Sequence, residues 1–131
     1  LPILKRILAS ATADQLQSVR FIITGAEKCP QWLFDQLHTM VPKAAIIEWY
    51  GITECSPIIS VNPMNKTKSW TVGIPIVWLD IQILDLDTQK PTKTWQEWMI
   101  YAHGPSVFEW YIDTKLDDPF ILYDDKKYYK I

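Results

Sequence analysis

The residue types best able to do chemistry in this 131-residue chain fall in one short run, Tyr50-Gly51-Ile52-Thr53-Glu54. The Thr53 hydroxyl beside the Glu54 carboxylate can share a divalent cation and its phosphate oxygens, because hard cations select oxygen ligands. The Tyr50 ring, a few positions upstream, can stack on a base. A second run, Gly25-Ala26-Glu27, offers small residues that let a flat ring approach the backbone. Both runs follow short apolar segments. Two strand ends, one presenting small residues and the other an aromatic, outline a slot for a purine. A Thr-Glu pair after a glycine equally suits a capped turn, so the residue types alone leave both readings open.

The elements that must position these runs are legible as periodicities. Leu4, Ile7, Leu8, Leu16 and Val19 recur at helical spacing, so the first twenty residues read as helix. Phe21 to Thr24 is a short apolar run ending at Gly25, which suits a buried parallel strand. A second helix is expected from Pro30 in its first turn, carrying Leu33, Phe34, Leu37 and Met40 on one face and stopping before Pro42. Ala44 to Glu48 reads as the next strand. Residues 20–50 thus form a strand, helix, strand crossover of an α/β sheet, whose ligands bind at the carboxyl ends of the strands. After residue 57 alternation replaces helical spacing. Strands are expected over 79–84, 99–102, 120–123 and 127–131, with turns at Asp87–Pro91 and around Asp124-Asp125-Lys126.

Composition excludes several classes. Hydrophobic residues make up 48% and charged residues 21%, enough to bury a core. A net charge of −2 gives no footprint for nucleic acid, and no apolar run approaches the roughly 20 residues of a membrane span. Cys29 and Cys55 stand alone, which argues against a zinc site or disulfide framework and for a reducing compartment; both read as small buried residues. His38 reads as amphipathic helix surface and His103 as a strand-end histidine. Asp117-Asp118 and Asp124-Asp125 read as solvated turns. No Ser-His-Asp, Cys-His or paired-carboxylate set stands out.

Taken jointly, the runs carry more. Phe21-Ile22-Ile23-Thr24-Gly25-Ala26-Glu27-Lys28-Cys29-Pro30 is followed about twenty residues later by Glu48-x-Tyr50-Gly51-Ile52-Thr53-Glu54-Cys55-Ser56-Pro57. Then come Thr71-Val72-Gly73-Ile74-Pro75 and Tyr101-Ala102-His103-Gly104-Pro105-Ser106-Val107-Phe108. In this order they resemble the adenylate-forming superfamily of acyl-CoA synthetases, luciferases and adenylation domains. The wording of the first run looks most like the fatty-acid branch, including acyl–acyl-carrier-protein synthetases. The resemblance implies an α/β fold. Residues 1–131 would be part of the large N-terminal AMP-binding domain, with a sheet portion over 1–62 and a β-rich portion over 63–131. The phosphate loop, the ribose-binding Asp and the small C-terminal domain with its catalytic lysine would lie outside the chain, leaving this piece inactive by itself.

Position by position, the resemblance implies that Tyr50 stacks on adenine, with Gly25, Ala26 and Glu27 on the other side of the slot and Gly51 among the nucleotide-binding residues. Thr53 would contact the α-phosphate, and Glu54 would hold Mg²⁺. The implied parent is an ATP-dependent fatty acid ligase. It makes an acyl-AMP and passes the acyl group to CoA or acyl carrier protein, either free in the cytoplasm or peripheral on the inner membrane. An amino acid or aryl acid is an alternative substrate. A non-catalytic nucleotide-binding or interaction module is an alternative of another class.

The chain has 4 Gly and 7 Trp, where about 7% glycine is usual. Trp49, Trp70, Trp78, Trp95, Trp98 and Trp110 each stand where the family pattern has glycine; Trp32 does not. Reverting the six brings glycine to 10 and tryptophan to 1. Some bacteria decode UGA as glycine, and reading those codons as tryptophan produces this substitution set. The six are therefore expected to be glycines in the native polypeptide, several at φ > 0, with Trp49 crowding the adenine slot. The alternative is a tryptophan-rich variant with ligand-binding or membrane-surface aromatics.

Overall fold

The computed structural model describes residues 1–64, 66, 68, 70–92, 97–109, 111, 112, 115 and 117–131. The chain forms two compact units, one of residues 1–51 and 60–74, the other of residues 52–59 and 75–131.

In the first unit, α1 (Pro2–Ser10) and α2 (Ala13–Leu16) replace the single helix expected over the first twenty residues. The break has a local cause. Ala11 is extended, and Thr12 caps α2 in a capping box whose Thr12 amide donates to Gln15 Oε1 at 2.9 Å. Strand β1 (Phe21–Thr24) lies where the apolar run predicts it and is parallel, but it is not buried: it forms the edge of its sheet, and Phe21 and Ile23 are 56% and 66% exposed. Helix α3 (Gln31–Met40) starts one residue after Pro30, which serves as its N-cap in extended conformation. Strand β2 (Ala45–Gly51) is longer than expected and absorbs Trp49, Tyr50 and Gly51 into its carboxyl end.

Strands β1 and β2 are parallel, with Phe21 opposite Ala45 and Thr24 opposite Glu48. Between them α3 buries Leu33, Phe34 and Leu37, which pack with Leu8, Cys29, Val41, Ala44 and Ile46 into one core. Three buried aliphatic or aromatic side chains of this kind contribute up to roughly 1.5–3 kcal/mol each, so α3 is held firmly against the sheet. Strands β3 (Ile58–Val61) and β4 (Ile74–Pro75) complete the order β1-β2-β3-β4, and the unit boundary falls within both.

The second unit holds an antiparallel sheet of β5 (Asp80–Asp85), β6 (Trp98–His103), β7 (Phe120–Tyr123) and β8 (Lys126–Lys130), in the order β5-β6-β8-β7. Leu84, Tyr101 and Tyr128 form its core. Asp124 and Asp125 connect β7 to β8 with φ of 48° and 59°, the two positive angles a two-residue hairpin turn of matching twist requires. Asp118 Oδ1 accepts the Phe120 amide at 2.9 Å, capping the start of β7. His103 ends β6 and hydrogen-bonds through Nδ1 to the Lys127 carbonyl oxygen of β8 at 2.8 Å, the strand-end role its sequence position suggests.

Asp80 accepts from Lys126 Nζ at 2.8 Å and from the Tyr128 hydroxyl at 2.7 Å. These two donors hold its carboxyl down at about 2. Stability from this cluster is therefore fully present above the ordinary aspartate value and is lost as the pH falls from about 4 towards 2. With 35% of the Asp80 side chain and 49% of Lys126 exposed, solvent screening keeps the contribution small. Asp80→Asn is expected to flatten the fall of the urea-unfolding midpoint between pH 4 and pH 2; an unchanged acid slope would exclude Asp80 as its source. Among the described residues no helix is long and apolar enough to cross a membrane.

Candidate functional site

A cavity of about 350 Å³ opens at the carboxyl ends of β1 and β2. Thr24, Ala26, Glu27 and Lys28 line it from the β1 side, Glu48 to Gly51 from β2, and Trp70, Thr71 and Val72 from the loop that leads into β4. Four of the residues expected to surround a purine, Ala26, Glu27, Tyr50 and Gly51, thus share one wall system. Gly25 touches it indirectly. A Cβ at Gly25 would fall 2.3 Å from ring atoms of Trp49, so the indole lies directly on the glycine backbone. Ala26 takes φ 65°, a left-handed conformation that an alanine adopts only under constraint from its surroundings.

Two polar residues without an assigned role in the sequence reading hold this geometry. Glu48 Oε1 accepts the Cys29 amide at 3.1 Å and so folds the 25–29 loop back towards β2. Asn62 is buried. Its backbone amide donates to the Glu48 carbonyl oxygen at 2.9 Å, its Nδ2 donates to the Thr71 carbonyl oxygen at 2.6 Å, and its Oδ1 accepts the Lys68 amide at 3.2 Å. One side chain therefore fixes the start and end of the 62–71 loop. Gly73 follows at φ 84°, where a Cβ would sit 2.0 Å from the Val61 carbonyl oxygen; only glycine closes this turn. An asparagine between an apolar strand and a proline was the available sequence signal for the anchor, but spacing alone gives it no partner.

Four of the six unusual tryptophans are described; Trp95 and Trp110 lie outside the described residues. Trp49 and Trp70 both line the cavity. Trp70 has φ 71° with 67% of its surface exposed, under the Lys28 ammonium at 3.8 Å from the ring centroid. A bulky residue in the left-handed region is a genuine outlier. Trp78 and Trp98 are 55% and 54% exposed and do not share that backbone conformation.

Thr53 and Glu54 belong to the second unit, on a 3-10 turn (Thr53–Cys55) that Ser56 ends at φ 57°. Thr53 is exposed and Glu54 half-buried. The Tyr111 hydroxyl donates to Glu54 Oε1, and the Phe108 amide donates to the Glu54 carbonyl oxygen at 2.8 Å. The hydrogen bond to Glu54 raises the Tyr111 phenol above its ordinary value. Burial, with the Glu54 charge added, pushes the Cys55 thiol up to about 11. Burial first, then Glu48, raises the Cys29 thiol as well. Both cysteines are fully protonated packing residues near neutral pH. Among the described residues no three His, Cys, Asp or Glu side chains gather as a ready-made metal cage.

A crossover α/β unit with a cavity at its strand ends has the architecture in which open α/β sheets bind their ligands. The chain belongs to the AMP-binding enzyme family, whose model matches residues 2–112. It is 32% identical over 119 residues to a 4-coumarate–CoA ligase of Pinus taeda, covering 86% of this chain and 22% of that protein. It is 37% identical over 67 residues to a long-chain-fatty-acid–CoA ligase of Haemophilus influenzae, covering 50% of this chain and 12% of that one. In fold it resembles the Klebsiella oxytoca NpsA N-terminal subdomain, with a TM-score of 0.79 at 20% identity, covering 99% of this chain and 34% of that one. A long-chain-fatty-acid-CoA ligase of Archaeoglobus fulgidus gives a TM-score of 0.76 at 18% identity, covering 98% of this chain and 28% of that one. The chain thus spans about a fifth of the first of these curated relatives and about a third or less of the solved ones.

Proposed function

We propose that this chain forms part of the large domain of an ATP-dependent acid–thiol ligase, one that joins a fatty acid to CoA or acyl carrier protein through an acyl adenylate. The carrying observation is the meeting of Ala26, Glu27, Tyr50 and Gly51 around one cavity at the ends of two adjacent parallel strands. In this reading Tyr50 and Gly51 face the adenine, and Gly25, Ala26 and Glu27 form the opposite wall. Thr53 contacts the α-phosphate and Glu54 holds Mg²⁺.

The donor set fits that ion. Magnesium keeps several waters and is commonly held by one or two carboxylates together with substrate phosphates, so a single acid beside a hydroxyl is adequate where no multi-acid cage gathers among the described residues. When bound, the ion neutralises charge building on the phosphate oxygens. The chain's own work is positioning: a stacked base, a fixed carboxylate and a small-residue wall, with no nucleophilic side chain required.

A fatty acid is favoured by the first nucleotide run and by the Haemophilus relative. An aryl acid is favoured by the longer match to the 4-coumarate ligase and by NpsA, solved in complex with 3-hydroxyanthranilyl-AMSN. An NpsA–ThdA fusion of an adenylation domain with a PCP supports a carrier protein as one acceptor class. ATP–pyrophosphate exchange on the full-length polypeptide, with fatty, aryl and amino acids offered in turn, tests the reading. Exchange dependent on fatty acids is the expected result. Exchange only with aryl or amino acids would reassign the substrate, and none with any acid would leave the non-catalytic module.

A further inference from the structure

Glu54 is gripped twice by one distant segment of the second unit. The Phe108 amide takes its carbonyl oxygen at 2.8 Å, and the Tyr111 hydroxyl donates to its Oε1 across 57 residues of sequence. The Tyr111 ring stands edge-on against Phe108, with centroids 4.7 Å apart and planes at 72°. Phe108 in turn meets Tyr129 of β8 edge-on at 5.2 Å. The phenol is therefore aimed from a ring cluster rooted in the sheet, yet Tyr111 itself remains 38% exposed. Burial of its own surface is a weak reason for that placement; delivery of the hydroxyl is a better one.

We infer that Tyr111 is a positioning residue for the Glu54 carboxylate, occupying one oxygen and holding the other free for the magnesium ion of a nucleotide complex. This rests on the reading of Glu54 as the metal-holding acid. A glutamate side chain loses rotamer freedom when it takes up a cation, and a partner that restricts those rotamers beforehand lowers that cost. Ligating carboxylates are in general hydrogen-bonded by a neighbour, and loss of that neighbour typically weakens metal affinity by about 10- to 100-fold. Phenylalanine at 111 keeps the ring against Phe108 and removes only the donor.

The test is calorimetric binding of ATP to the full-length polypeptide in the Trp49→Gly background, with EDTA and then across a Mg²⁺ series. Tyr111→Phe should raise the Mg²⁺ concentration for half-maximal effect about tenfold and leave metal-free ATP affinity within about twofold of the parent. Glu54→Gln should weaken the Mg²⁺ response at least as much as Tyr111→Phe does, the substrate phosphates alone then holding the ion, and adding Tyr111→Phe to it should change nothing further. An unaltered Mg²⁺ response in Tyr111→Phe, or an equal loss of metal-free binding, would overturn the inference while Glu54 keeps its role. A normal Mg²⁺ response in Glu54→Gln would remove the metal reading itself, and this inference with it. If Tyr111→Phe does not fold, Phe108→Leu, which loosens the ring support but leaves both partners in place, should shift the Mg²⁺ dependence in the same direction; no shift would count against the inference.

Discussion

Trp49→Gly should tighten ATP binding at least about tenfold, equivalent to about 1.4 kcal/mol. The indole lies on Gly25 and shares the cavity with Tyr50 and Ala26, so it fills space that a flat base needs between the two strand ends. Stacking of a base on an aromatic is worth about 1–3 kcal/mol, and a blocked slot forfeits most of it. Glycine within a strand costs roughly 0.5–1 kcal/mol of stability relative to alanine. The variant is therefore expected to bind better without melting much higher. Titration calorimetry with ATP decides this, and equal affinity in both forms would show that the indole leaves the slot open. The source gene gives an independent check: UGA at 49, 70, 78, 95, 98 and 110 is expected, and UGG at those codons would make the tryptophans native. The left-handed Trp70 favours glycine at that position on backbone grounds alone.

The second large effect is at Glu54. Glu54→Ala should lower ATP–pyrophosphate exchange by about a hundredfold, or ~2.7 kcal/mol at 1.36 kcal/mol per decade. A cation that neutralises transition-state charge supplies several kcal/mol, and the acid that positions it carries a large part of this. Saturating Mg²⁺ should recover part of the loss, because substrate phosphates still bind the ion. Folding should change little, since the carboxyl's partner, the Tyr111 hydroxyl, can turn to water at a partly exposed site. Wild-type exchange in the alanine variant would remove Glu54 from the chemistry.

How much of this was legible beforehand follows from the range of the interactions involved. Strand β1 and helix α3 were readable from local signals, the continuous apolar run Phe21–Ile23 closed by Thr24 and Gly25, and the helical spacing of Leu33, Phe34 and Leu37. The break between α1 and α2 turns on a local signal too, Thr12 and Gln15 three apart, but continuing helical spacing on either side obscured it. The carboxyl end of β2 depended on something farther off. Its last residues extend beside a chain segment whose Asn62 amide reaches the Glu48 carbonyl, and no pattern within residues 44–51 encodes that partner. Tyr50 and Gly51 were consequently expected in a loop and lie on the strand. Tyr111 escaped notice for the same reason: 57 residues separate it from Glu54, and neighbouring sequence gives no hint of the contact.

The anchoring of the 62–71 loop by one buried amide has an evolutionary corollary. What that loop presents to the cavity is decided at its two ends, where Asn62 meets Glu48 and Thr71 and where Gly73 clears the Val61 carbonyl. Insertions, deletions and drift in the intervening stretch cost little chain entropy, which grows only slowly with loop length. Relatives are thus free to diversify between positions 63 and 67, ahead of the Lys68 amide that Asn62 holds, while position 62, the left-handed position 70 and the glycine at 73 are barred from changing alone.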